Sequence, residues 1–212
     1  MKQITMMGLL VFSMAVTSSA HAQKKTVWEK GASLELVSEM GAGEGPAWNP
    51  EVGLVSSFGS VYLHDVENPD RGAPQVYIKD LGTNGLLFDA EGRLLCCQPS
   101  KQRVIRIEKD GSETVLTDKY DDAPYNQPND ITVDNEGRIY FSDPKYGPYE
   151  NLPQKDFDGN PIEGVYMIDP DGYVTIQIVH DVDRPNGVLV SRNQKYIWVA
   201  GNNNNNAGGE RK

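Results

Sequence analysis

The chain is short of cysteine, short of histidine and without a long helical pattern, and each shortage removes a class of function. Its two cysteines, Cys96 and Cys97, are adjacent in the segment LLCCQ. Neighbouring side chains of a strand point to opposite faces, so a disulfide between them would need a distorted backbone, and a zinc site would need spaced ligands. They read as buried free thiols. Beyond residue 22 the histidines are His64 and His180, and neither accompanies a partner motif. No GxSxG elbow, HExxH helix, P-loop or Rossmann fingerprint occurs, which leaves serine-hydrolase, zinc-protease and nucleotide readings without support. Basic clusters are missing too. With 20 Lys+Arg against 30 Asp+Glu the net charge is −10, so nucleic acid and anionic membranes are poor partners for want of a basic footprint. No protein partner is evident.

Long hydrophobic runs are equally scarce. Met6 to Val16 is apolar but too short to span a bilayer, which argues against a membrane anchor. It follows Lys2 and precedes the small-residue pattern Ala20-His21-Ala22, so residues 1–22 read as a cleavable signal peptide and residues 23–212 as the domain. The expected location is periplasmic or secreted.

What the chain does have is strands and turns. Short β-branched or aromatic segments, among them Leu34 to Val37, Leu54 to Ser57, Leu94 to Cys97, Ile139 to Ser142, Val165 to Ile168 and Tyr196 to Ala200, are bounded by turn residues. Glu91-Gly92, Asp110-Gly111, Glu136-Gly137 and Asp171-Gly172 mark tight turns. A unit recurs: a polar tip, an apolar strand, a turn and a second apolar strand follow Glu44-Gly45-Pro46, Asn84-Gly85, Asn129-Asp130 and Asn186-Gly187. The tips are 40, 45 and 57 residues apart. Such a period marks a repeat architecture, and among all-β folds it selects the β-propeller, whose inner-strand tips face one axis.

Residues 84 to 116 form one complete four-strand blade in this reading, and residues from Asn129 to about Val179 form the next, with an insertion from Tyr146 to Gly164. Asp156, Asp158, Asn160 and Glu163 of the insertion approach a calcium loop, but the glycine sits at the fourth position and not the sixth, which favours a solvated loop. About three to four blades are present. The chain ends after two strands of its last unit in an asparagine run from Asn202, which reads as a piece of a longer ring or as a solvated tail.

Oxygen chemistry remains. Glu44, Asn129 and Asn186 stand at equivalent tips and offer the hard-oxygen set suited to calcium or magnesium. Each asparagine alone fits an ordinary turn residue. In register, the three would remove the cost of a buried carboxylate by holding a cation.

Gly43-Glu44-Gly45-Pro46-Ala47-Trp48, Gln127-Pro128-Asn129-Asp130, Tyr140-Phe141-Ser142-Asp143-Pro144-Lys145-Tyr146-Gly147, Gly164-Val165-Tyr166 and Arg184-Pro185-Asn186-Gly187 resemble the successive signatures of the SMP-30/gluconolactonase family. The resemblance runs from about residue 40 to 202 in order. It implies a six-bladed propeller with one divalent cation, most often Ca2+ with Zn2+, Mg2+ or Mn2+ as alternatives, and hydrolysis of sugar lactones. By motif match Glu44 and Asn186 would be metal ligands, and Asn129 would complete the coordination or bind substrate. Gln127 occupies a position where some members carry a substrate-binding arginine, and Tyr146 joins the expected substrate site. The family's acid/base aspartate belongs to a later blade motif that this chain does not contain, so the chain by itself would be catalytically incomplete. Two other readings stay open: a non-enzymatic secreted propeller that holds a structural ion, and a hydrolase of the paraoxonase or strictosidine-synthase-like type.

Overall fold

A computed structural model describes residues 29, 31–40, 43–68, 72–146, 152–156, 158–172 and 175–202. The chain divides into Met1–Glu35 and Leu36–Lys212. In the first unit the described residues hold a turn, with the Ala32 N–H donating to the Glu29 carbonyl at 3.1 Å. The leader expected over residues 1–22 and the tail beyond Asn202 lie outside the described residues.

The second unit is a series of antiparallel sheets. The first comprises β1 (Glu44–Asn49), β2 (Gly53–Phe58), β3 (Ser60–His64) and β4 (Gln75–Ile78), paired in chain order. The second has β5 (Leu86–Phe88), β6 (Leu94–Gln98), β7 (Arg103–Ile107) and β8 (Glu113–Thr117), again in order. A small hairpin of β9 (Lys119–Tyr120) and β10 (Ala123–Pro124) leads to β11 (Ile131–Val133), β12 (Ile139–Asp143), β13 (Gly164–Ile168) and β14 (Thr175–Val179). Finally β15 (Pro185–Val190) pairs with β16 (Ile197–Gly201). Three four-stranded meanders and a two-stranded start of a fourth are blades of a β-propeller, as the repeat predicts. The four turn glycines named from sequence, Gly92, Gly111, Gly137 and Gly172, all have positive φ.

Burial explains the strand patterns. The second strands β6 and β12 are buried along their whole length because a blade packs on each face, so they read as continuous apolar runs. The outer strand β14 has neighbours on one side only and alternates in exposure. Cys96 packs with Val55, Val61 and Ile105 between the first two blades. Cys97 packs with Tyr125, Phe141 and Tyr166 between the second and third. Adjacent thiols thus enter opposite cores, free and buried, as the strand geometry requires. The third core joins Tyr140 and Val165 to Val188 of the last unit.

The expected strand over Leu34 to Val37 is not formed. Leu34 is fully exposed and Leu36 is 66% exposed; apolar residues left this exposed gain too little burial to favour strand geometry. Four strands escape the sequence reading, β1, β3 and the two-residue β9 and β10. β1 contains Gly45 and Pro46, which read as a tip, and β3 follows β2 after the single residue Gly59, which leaves no separate turn signal. In the insertion, Lys155 and Pro161 form an isolated bridge, and Asp156 Oδ1 accepts the N–H groups of Asp158 (2.9 Å) and Asn160 (2.8 Å). Asp158 and Asn160 are exposed, so this is a solvated turn holding its own backbone.

Candidate active site at the inner-strand tips

Successive tips are assembled backbone against backbone. A Cβ on Gly45 would lie 2.4 Å from the Asn84 carbonyl oxygen and 2.9 Å from the Gly85 Cα. Likewise, a Cβ on Gly85 would lie 2.5 Å from the Asn129 carbonyl oxygen, which accepts the Gly85 N–H at 2.6 Å. Only glycine permits these approaches. The second strand of each blade also reaches forward to the next tip from one register position. Ser57 Oγ donates to the Thr83 carbonyl at 2.5 Å, Cys97 Sγ lies 3.7 Å from the Asp130 carbonyl, and Ser142 Oγ donates to the Asn186 carbonyl at 2.6 Å.

Among the expected site residues, Gln127, Asn129, Tyr146 and Asn186 form one connected set. The Asn129 N–H donates to the Ser142 carbonyl at 2.8 Å, and the Ser142 hydroxyl binds the Asn186 backbone. The Asn186 Nδ2 donates to the Tyr146 hydroxyl. Gln127 Oε1 accepts the Tyr146 N–H at 2.6 Å. Glu44 belongs to the same series of tips through Gly45 and Gly85, but at the head of β1 opposite Ser57 it is exposed and not buried as expected, so no burial cost calls for a cation there.

The sequence reading did not foresee the carboxylates that brace this set. Asp143 is fully buried at the end of β12 and accepts the N–H groups of Asn126 and Gln127, both at 2.7 Å. Burial pushes its carboxyl up to about 8 against those two hydrogen bonds. Glu163 accepts the Lys145 N–H with one oxygen and the Arg184 N–H, at 2.7 Å, with the other. Asp130 Oδ2 accepts the Val188 N–H at 2.8 Å, and burial raises its carboxyl as well. These clamps join segments 16 to 58 residues apart, a distance over which local pattern carries no signal.

Arg184 is the second omission. It stands two residues before Asn186, as Gln127 stands two before Asn129, and its guanidinium carbon is 5.9 Å from the Tyr146 ring centroid. The repeat itself could have flagged this equivalence. His64, which accompanies no partner motif in the sequence, has its Nε2 2.7 Å from Ser56 Oγ. Both residues are buried, Ser56 on β2 and His64 on β3.

Commitment of oxygen atoms separates the predicted ligands from their neighbours. Asp130, Asp143 and Glu163 already accept backbone amides, and Asn49 Oδ1 accepts those of Glu51 and Val52. By contrast the Glu44 carboxylate, the Asn129 side chain and Asn186 Oδ1 accept no hydrogen bond among the described residues, although Asn129 is only 5% exposed. One carboxylate and two amide oxygens left open at three of the four tips are the donor type that a hard divalent cation takes. No group of three His, Cys, Asp or Glu side chains among the described residues could hold a metal, so any such site depends on the amides. No helix among the described residues is long and apolar enough to cross a membrane.

Known proteins carry the same framework. A gluconolactonase of Zymomonas mobilis is 25% identical over 186 residues, which cover 87% of this chain and 50% of the relative. A solved gluconolactonase of Xanthomonas campestris superposes with a TM-score of 0.60 at 27% identity, over 74% of this chain and 54% of that one. The protein STRICTOSIDINE SYNTHASE-LIKE 6 of Arabidopsis thaliana is 31% identical over 117 residues, covering 53% of this chain and 31% of its own. The chain thus spans about half the length of the gluconolactonases it matches. The profile of the SMP-30/Gluconolactonase/LRE-like region matches residues 42–206, the stretch that holds the blades and every tip described above, and the chain therefore belongs to that family.

Proposed function

We propose that this chain supplies the cation- and substrate-binding tips of a lactonase that hydrolyses sugar lactones. The observation that carries the reading is the set of open oxygens on Glu44, Asn129 and Asn186, at positions where every neighbouring acid is already engaged. Those three residues would hold one divalent cation, for which the hard oxygen donors suit Ca2+ or Mg2+ and the family resemblance favours Ca2+. Bound there, the cation would supply Lewis-acid polarisation of the lactone carbonyl and stabilise the developing oxyanion.

The chain's own residues do the rest of the binding. Gln127 is fixed through Oε1 on the Tyr146 N–H, which leaves its NH2 group to donate to a substrate oxygen. A neutral donor in place of an arginine suits an uncharged, hydroxyl-rich aldonolactone better than an anionic one. Asp130 and Asp143 are unsuited to activate water, because each carries backbone N–H groups in a buried setting. Water activation falls to the aspartate that the resemblance places in a later blade. A periplasmic or secreted location, from the leader over residues 1–22, belongs to the same proposal.

The test is a pH-indicator assay with glucono-1,5-lactone on the exported full-length protein, whose N-terminus should be Gln23. Turnover should disappear on chelation and return with Ca2+, and Glu44→Gln should weaken cation affinity severely, because a neutral amide replaces the one charged ligand. Turnover that persists after thorough chelation removes the cation from the mechanism. A cation-loaded protein without lactone hydrolysis would favour the non-enzymatic propeller.

A further inference from the structure

We propose that the Tyr146 hydroxyl is a positioning group for Asn186, holding its amide so that Oδ1 and not Nδ2 is presented to the cation. The inference rests on the cation reading above and assigns Tyr146 a role outside direct contact with substrate. A primary amide has two faces of nearly equal shape, and only the oxygen face can ligate a hard cation. The NH2 face then needs an acceptor elsewhere. Here that acceptor is the phenol oxygen of Tyr146.

Tyr146 is itself held from several directions. Its N–H is on Gln127 Oε1 at 2.6 Å, the preceding residue Lys145 donates its N–H to Glu163, and the Arg184 guanidinium stands against its ring. These partners come from the tip of one blade, the end of the insertion and the tip of the next blade, so the hydroxyl occupies a fixed point between two tips. The Asn186 backbone is fixed independently, by the Ser142 hydroxyl on its carbonyl at 2.6 Å. The backbone position and the amide rotation therefore have separate supports, and the second is Tyr146. Partners that orient metal ligands in this way are commonly worth about 10- to 100-fold in metal affinity.

Calorimetric Ca2+ titration of the full chain and of Tyr146→Phe, Asn186→Asp and the double variant provides the test. Tyr146→Phe should weaken Ca2+ binding by about 10- to 100-fold. In the Asn186→Asp background the same change should cost no more than about twofold, because a carboxylate presents an oxygen in either rotation. Thermal unfolding in chelator reports any general folding defect, which would lower affinity equally in both backgrounds. Equal loss in both backgrounds, or unchanged affinity in Tyr146→Phe when the wild type binds, overturns this proposal alone. Failure of the wild type to bind Ca2+ overturns it together with the cation reading.

Discussion

Ser142 and Asn186 lie 44 residues apart, yet the hydroxyl of the first donates to the backbone carbonyl of the second at 2.6 Å and accepts the Asp130 N–H at 3.1 Å. One side chain on β12 thereby fixes the tips of two blades, its own and the next. The candidate site is held by the frame of the propeller, and the tip residues are left free to act.

Asp143→Asn should lower stability by about 1–3 kcal/mol, since one of the two backbone donors loses its acceptor in a fully buried place. It should also alter the pH dependence. The folded protein keeps the Asp143 proton up to about pH 8, whereas the unfolded chain releases it near 3.8. Between those values the folded state binds more protons, so this group's contribution is complete below about pH 4 and is lost as pH rises toward 8. Denaturation midpoints measured from pH 4 to 8 should fall less steeply in the variant; identical slopes would contradict the assignment.

Gly85→Ala should destabilise by at least the ~1–3 kcal/mol typical of overpacking, because the added methyl meets backbone atoms at 2.5 and 2.8 Å. Gly72→Ala is the control, with nothing within 4 Å of its Cβ position; it should be neutral or stabilising by about 0.4–1 kcal/mol. Urea unfolding of the pair separates steric seating from a general intolerance of alanine. Matching midpoints would rule out the tight seating of Gly85.

Neither Cys96 nor Cys97 should react with a thiol-specific disulfide reagent in native buffer, and both should react on unfolding. Each is wholly buried, and burial pushes both thiols up, away from the reactive thiolate. Rapid stoichiometric labelling of the folded protein would show that the cores on either side of β6 open easily.

Much of the fold is legible in the sequence because blades packed on both faces make short apolar runs. LLCCQ and IYFSD each follow a glycine turn, and every residue of both is buried. The unread parts have physical causes. EGPAWN forms β1 although glycine and proline suggest a turn, because its ladder with β2 and its packing on β5 override local preference. Leu34 to Val37 has strand composition, but Leu34 and Leu36 stay exposed and gain little burial. At the site, Gln127, Asn129, Tyr146 and Asn186 can be named from the repeat and the family resemblance, but their braces cannot. Asp143 and Glu163 look like ordinary surface acids in the sequence; their roles arise from distant amides that arrive only on folding.

The glycine contacts between neighbouring tips have a consequence for how such a site can change. Main chain resting on main chain is a stiff spacer, so Gly45 and Gly85 set the separation of neighbouring tips, while the side chains of Glu44, Asn84 and Asn129 take no part in these contacts. Those side chains can then be exchanged without altering the spacing of the tips. An exchange at such a side chain changes the chemistry offered at a tip and leaves the framework that carries it the same.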